Sequence, residues 1–152
     1  MNASTVVAFI HHVAAFTLVG ALIAELALFE RNLNLRQARK IQRVDLTYGI
    51  SAGIVLAAGF LRVFYFEKGG EYYFHNVFFI AKLSLFIIVA LLSMYPTVLF
   101  LSWSKQLASG ILPRLADAQI CRVRAVMLLE LLGIVGILLC ASLMARGVGM
   151  IE

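Results

Sequence analysis

Three nitrogen-bearing side chains, His11, Arg62 and Lys82, lie inside long apolar stretches of the sequence. Ionisable groups are costly within a bilayer, so they mark a candidate functional site. Counting about 1.5 Å per residue from the middle of each stretch places all three roughly 9–11 Å from the midplane, on one side. His75 shares the helix face of Lys82 and approaches the same layer. Because neighbouring cations repel one another, we expect this layer to hold an anionic ligand.

A haem or porphyrin has the chemistry that this layer favours. Its macrocycle is apolar, an imidazole such as that of His11 is a common axial ligand, and its propionates would pair with Arg62 and Lys82. In the alternative interpretation, Arg62 and Lys82 only extend to the membrane surface, and the histidine only makes a hydrogen bond there. The residues by themselves leave both interpretations open.

A second polar layer is predicted nearer the opposite membrane face. It contains Glu25, Asp45 and Glu130 together with Arg124. Carboxylates at this depth can meet the basic residues at the helix ends, so we expect structural ion pairs there. Cys121 and Cys140 lie about 28 Å apart on one helix and are predicted to pack rather than pair.

Membrane-spanning helices must position these groups. The chain has 152 residues, 62% of them hydrophobic, and its mean hydropathy is +0.96, values far from those of a soluble domain. A spanning helix needs about 20 apolar residues, and four stretches qualify: 6–29, 44–66, 76–103 and 125–145. Their short connections predict one all-α integral membrane domain over residues 1–152, an antiparallel bundle of four transmembrane helices in a lipid bilayer.

Basic residues are concentrated between helices one and two and before helix four: Arg31, Arg36, Arg39, Lys40 and Arg43, then Lys105, Arg114, Arg122 and Arg124. By the positive-inside rule, these connections face the cytoplasm. Both termini are therefore predicted to be periplasmic in a bacterial inner membrane. The net charge of +5 reports this orientation, and we expect no nucleic-acid partner because no soluble basic domain is present.

Helix periodicity separates two adjacent histidines. At 100° per residue, His11 shares a face with small and polar side chains, whereas His12 falls among bulky apolar ones. We therefore predict that His11 points into the bundle and His12 towards lipid. On the last helix, Met144 shares a stripe with Glu130 and reaches the layer of His11.

Several segments of the chain resemble a known family. "GFLRVFYFEKGGEYYFHN", "AKLSLF" and "LLSMYPT" are similar to the bacterial predicted membrane proteins of domain-of-unknown-function family 2214. The likeness covers nearly the whole chain and implies a membrane location, but the family name implies no activity.

A more distant resemblance is to the HemJ-type protoporphyrinogen oxidase, a small four-helix membrane protein with a histidine early in helix one and a lysine early in a later helix. This resemblance implies a bound haem b, with His11 or, in a shifted register, His12 at the histidine position. Lys82, in "KLSL", matches the lysine, and Arg62 matches more loosely. The first helix departs from that family's aromatic-rich pattern, so the likeness implies a haem-type ligand more than porphyrinogen chemistry.

Three functions follow as expectations. The first is a haem b-binding membrane redox protein that oxidises a porphyrinogen or a quinol. The second is a copper or small-solute permease or its accessory, since a likeness to CopD-type copper-resistance modules implies copper ligands at His11, His12, His75 and Met144. The third is a non-catalytic assembly factor, for which the Gly49/Gly53 face of helix two would be the contact surface, also for a homo-oligomer.

Overall fold

The structure, a computed structural model, describes residues 2–66 and 75–150. Its helices in chain order are α1 (Ala3–Leu28), α2 (Leu35–Leu61) continued by a π-helical turn (Arg62–Phe66), α3 (Val77–Ser102), the short α4 (Ser104–Ala108) and α5 (Asp117–Ala145). Within the described ranges, α1, α2, α3 and α5 are long and apolar enough to cross a membrane. The predicted all-α bundle of four spanning helices is confirmed.

Two helices begin earlier than their apolar stretches predict. Helix α2 starts at Leu35 rather than at residue 44, and α5 starts at Asp117 rather than at residue 125. Hydropathy detects only the part of a helix that lies in lipid, and both extensions are rich in polar residues. At the start of α2, the Asn34 side chain accepts a hydrogen bond from the Gln37 N–H (2.8 Å) and the Gln37 side chain accepts one from the Asn34 N–H (3.0 Å). This capping box sets the helix start.

The bundle consists of two helical hairpins, because α1 packs along α2 and α3 packs along α5. The hairpins meet in a core at the end where the α1–α2 connection lies. Phe29 and Phe100 are fully buried there, and the Phe100 and Trp103 rings lie 5.0 Å apart between centroids. Towards the opposite end the hairpins enclose a cleft. The core therefore fixes one end of the hairpin pair and leaves space near the other.

The basic connections share one end of the molecule, which we call the basic end. Arg31 lies 3.7 Å from Asp117, the first residue of α5, and Arg39 donates to the Leu107 carbonyl oxygen at 2.9 Å. Four of the basic residues that the sequence places near the first connection, Arg36 to Arg43, lie on the first turns of α2. Both connections still lie on one side of the bundle, as an antiparallel arrangement requires.

At the opposite end, the segment that follows α5 folds back onto the start of α3. Asn76 is completely buried, and its side-chain oxygen accepts hydrogen bonds from the first N–H groups of α3. Its amide donates to the Val148 carbonyl oxygen at 3.0 Å. Gly149 has a φ of +86°, and a Cβ there would lie 2.6 Å from the Phe78 ring. Only glycine suits that position.

Candidate functional site

His11 and Lys82 line one cavity. This upper cavity, which lies away from the basic end, has a volume of about 110 Å³ and is bounded mainly by apolar side chains of α2 and α3, with Ile137 of α5. Two of its wall residues, Leu56 and Phe60, are each 40% exposed on the outer surface of the bundle. Two of the three predicted nitrogen-bearing groups, His11 and Lys82, are thus brought together in a cavity whose wall reaches the outer surface of the bundle.

The ring of His11 is half-buried and is held by α2. Its Nδ1 lies 3.0 Å from the Val55 carbonyl oxygen, and because a carbonyl oxygen only accepts, Nδ1 carries the proton and donates. The lone pair is then on Nε2. Gly59 gives the ring its space, since a Cβ there would lie 3.4 Å from the ring carbon Cε1. Histidines that ligate a metal through Nε2 are commonly fixed by such an Nδ1–H bond.

His12 is exposed and points away from the site. Its Nδ1 donates to the Ala8 carbonyl oxygen at 2.6 Å within α1. The His11 and His12 rings are nearly perpendicular, with an interplanar angle of 85° and centroids 5.8 Å apart. The predicted difference in direction is therefore observed: His11 contacts α2 and His12 lies on the outer face.

Two cations lie near His11. The Lys82 Nζ is 5.1 Å from the centroid of the Phe79 ring, a cation–π contact. Arg62 is half-buried at the start of the π-helical turn that ends α2. Both lie close enough for their charges to act on His11. The π-helical geometry is notable because such turns occur frequently at functional sites.

The other predicted ligands lie elsewhere. His75 is exposed in the turn before α3, and Met144 packs against Val63 and Phe79. Across residues 2–66 and 75–150, no three His, Cys, Asp or Glu side chains are close enough to hold a metal ion together. The three histidines of the predicted copper site are therefore not assembled, because His12 faces outward and His75 lies in a turn.

A second cavity adjoins the first. This lower cavity has a volume of about 340 Å³, lies between the two hairpins, and shares Val55, Phe86 and Ile137 with the upper cavity. We call the two together the cleft. The lower cavity is mostly apolar, but Tyr48 and Thr97 contribute hydroxyl groups to its lining. Small-molecule sites span about 300–1,000 Å³ and are largely apolar with a few polar groups, so the cleft resembles such a site.

The carboxylate layer lies next to the lower cavity. Glu25 and Glu130 are 2% and 1% exposed, and Asp45 is also buried. The Tyr48 hydroxyl donates to Glu130 Oε2 at 3.0 Å, and the Thr97 hydroxyl donates to Asp45 Oδ1 at 2.7 Å. Thr97 was not identified from the sequence as a member of this layer. The Ser93–Thr97 spacing of four residues was the available signal, since both hydroxyl-bearing residues then share one face of α3.

The prediction that Arg124 pairs with the carboxylate layer is wrong. Arg124 donates from Nη1 to the carbonyl oxygens of Leu26 (3.2 Å) and Phe29 (2.7 Å), not to a carboxylate. The last carbonyl oxygens of a helix have no partner within the helix, so the guanidinium satisfies the end of α1. The ion pair that the described residues form at this end is the exposed Arg31–Asp117 pair.

The residues of the cleft suit a haem. His11 supplies an imidazole whose Nδ1–H is already bonded, which leaves Nε2 as the ligating atom. The walls are apolar, and Lys82 supplies a charge for a propionate. The upper cavity alone is smaller than a typical small-molecule site, so a macrocycle would need the lower cavity as well.

Comparison with known proteins identifies the family. The family described as "Predicted membrane protein (DUF2214)" matches residues 3–149. The chain belongs to the DUF2214 family. This confirms the resemblance drawn from the sequence and establishes a membrane protein. No curated protein and no solved structure matches the DUF2214 chain, so the HemJ-type resemblance is not confirmed.

Proposed function

We propose that this protein binds haem b in the cleft between its hairpins and acts as a membrane redox protein. The observation that carries the proposal is the state of His11: a half-buried imidazole, fixed through Nδ1–H on the Val55 carbonyl oxygen, in the wall of a cavity that Lys82 also lines. A histidine held in this way by a neighbouring helix is preorganised as a ligand.

Each residue of the site has a defined role in this proposal. His11 would ligate the iron through Nε2, and its hydrogen bond to Val55 increases the basicity of that nitrogen. Lys82 and Arg62 would pair with the propionates through charge-assisted hydrogen bonds. The haem, when bound, supplies one-electron chemistry. The apolar walls exclude water from the macrocycle.

A quinol or a porphyrinogen is the proposed substrate class. Both are ring compounds that an apolar cleft can accept. Leu56 and Phe60, in the wall of the upper cavity, are also exposed on the outer surface of the helices, where the lipid would lie, and their exposure supports an entrance there. A substrate dissolved in the bilayer would reach the cleft without passing through water.

The orientation completes the proposal. With the basic end in the cytoplasm of a bacterial inner membrane, both termini and the His11 layer lie towards the periplasm. Electrons taken from a porphyrinogen would then pass to a quinone in the bilayer, whereas electrons from a quinol would pass to an electron acceptor on the periplasmic side.

The two alternatives from the sequence have less support. A copper permease would need other ligands than the histidines named above, which do not form a group. For an assembly factor, Gly49 and Gly53 are exposed, and a Cβ at either would meet nothing within 4 Å. The exposed Gly49/Gly53 face does not by itself indicate a partner, so the homo-oligomer stays a prediction.

The test is an absorption spectrum of the purified protein, oxidised and reduced, with pyridine haemochrome analysis. We expect a Soret band that His11→Ala removes or strongly weakens. His12→Ala is the matched control, because it deletes the same side chain one position away on the outer face, and it should keep most of the band. A colourless wild-type protein that does not take up added haem would refute the proposal.

A further inference from the structure

Among residues 2–66 and 75–150, no cationic side chain forms an ion pair with the three carboxylates of the inner layer. Glu25 and Glu130 are almost completely buried, and the Oε1 atom of each has no hydrogen-bond partner among the described residues. Glu25 lies close enough to Asp45 and Glu130 for their charges to interact. Burying one unpaired carboxylate is already costly, and three near one another add mutual repulsion. A positive species must therefore neutralise part of this cluster.

The groups that surround the three carboxylates indicate which positive species neutralises them. Helix α1 contributes Glu25, α2 contributes Asp45 and Tyr48, α3 contributes the hydroxyl groups of Thr97 and of Ser93, which interacts with Tyr48, and α5 contributes Glu130 and Arg124. The Arg124 guanidinium binds the carbonyl oxygens at the end of α1. In the part of the chain that the structure describes, none of the three carboxylates is in an ion pair, and they are too far apart to hold one metal ion together. A proton meets these conditions.

Among the described residues, the carboxylate cluster is connected by hydrogen bonds to the lower cavity but not to the basic end. Tyr48 and Thr97 line the lower cavity and donate hydrogen bonds to Glu130 and Asp45. Towards the basic end, fully buried apolar side chains close the bundle: Phe29, Val123 and Met127. The two hydroxyls therefore separate the carboxylates from the cavity, whereas a packed apolar layer separates them from the basic end.

We propose that Glu25, Asp45 and Glu130 form a proton-binding site that exchanges protons with the cleft through the Tyr48 hydroxyl. Glu25 holds the proton at neutral pH, because hydroxyl donors stabilise the charge on Glu130 and Asp45, and Glu25 has none. In one exchange, Tyr48 gives its proton to the Glu130 carboxylate and takes a proton from a donor in the cavity. Glu130 then passes the proton to Glu25, whose charge interacts with its own, so the net result is one proton moved from the cavity to Glu25. This inference does not depend on which molecule occupies the cleft.

Infrared spectroscopy of the full-length protein in a detergent that contains no carbonyl group tests the site, because a protonated carboxyl group has a C=O stretch that a carboxylate lacks. We expect this band at pH 7 in the wild type. Glu25→Gln should abolish most of it, whereas Glu30→Gln, which removes an exposed carboxylate of the α1–α2 connection, should leave it unchanged. If Glu25→Gln fails to fold, the presence of the band in the wild type and its shift in D2O decide whether the cluster holds an exchangeable proton. A wild type without the band at neutral pH would overturn the proposal, as would an undiminished band in Glu25→Gln.

Two further measurements separate a proton site from other occupants and test the route. Replacing sodium by choline should leave the band unchanged, and a sodium-dependent loss of the band would assign the site to that cation instead. Transfer into D2O should shift the band more slowly in Tyr48→Phe than in the wild type, because phenylalanine has no hydroxyl group through which a proton can pass. Equal rates would refute exchange through Tyr48. None of these readouts requires haem, so a failure of the proposed function leaves this test intact.

Discussion

Replacing Lys82 distinguishes an anion-binding lysine from a membrane-surface anchor. In Lys82→Met the side chain keeps a similar length and loses its charge, whereas in Lys82→Arg the charge is kept. If Lys82 pairs with an anionic group of the bound ligand, the methionine variant should retain the ligand much less well and the arginine variant should retain part of it. Lys105→Met is the matched control, because Lys105 is exposed at the basic end, away from the cleft.

The magnitude follows from the contacts of Lys82. A charge-assisted hydrogen bond contributes about 1.5–3 kcal/mol, which corresponds to a ten- to hundredfold weaker affinity when it is removed. The cation–π contact of Nζ with the Phe79 ring exists without ligand, so its loss should reduce stability by about 0.5–1 kcal/mol and leave affinity unaffected.

The assay combines two measurements on each variant. Haem titration of the apoprotein, followed by absorbance, gives the affinity, and thermal unfolding in the same detergent gives the stability. We expect weaker binding and slightly lower stability for Lys82→Met, with both values unchanged for Lys105→Met. A Lys82→Met protein that is fully loaded and more stable than the wild type would refute the reasoning, since removing a lysine that only extends to the surface should produce that result.

Two further predictions concern orientation and packing. Reporter fusions should place both termini in the periplasm and the connections at the basic end in the cytoplasm, and a cytoplasmic carboxyl terminus would contradict this. Gly133→Ala should lower the stability measured by thermal unfolding, by roughly 1–3 kcal/mol, because a Cβ there would lie 2.5 Å from Val89 Cγ2 and a β-branched side chain has little freedom to move. Gly20→Ala is its control, since its Cβ would meet nothing within 4 Å, and it should gain about 0.5–1 kcal/mol from helix propensity. Equal stabilities for the two variants would show that α3 and α5 are not closely packed at Gly133.

The sequence is sufficient to predict the spanning helices and the direction of His11. Apolar stretches of more than 20 residues leave few alternatives in a membrane. The periodicity of small and bulky residues then distinguishes His11 from His12. The approach of His11 and Lys82 was also predictable, because both lie at one depth and on inward faces.

The remaining features depend on contacts that no local pattern contains. Charge counting assigned Arg124 to a carboxylate, but the carbonyl oxygens at the end of α1 also attract a guanidinium and are invisible in a count of charged residues. The Tyr48–Glu130 hydrogen bond joins residues 82 positions apart. The separation of the hairpins that creates the lower cavity results from the packing of all four spanning helices.

The aromatic core at the basic end gives the cleft a mechanical property. Phe100 and Lys82 lie 18 residues apart on α3, which is about 27 Å along the helix axis at 1.5 Å per residue. A rotation of one hairpin by 1° about that core would therefore move Lys82 by about 0.5 Å. A substitution that changes the size of Phe29 or Phe100 would tilt one hairpin relative to the other. The width of the cleft beside His11 would then change by more than the size of the substituted side chain does.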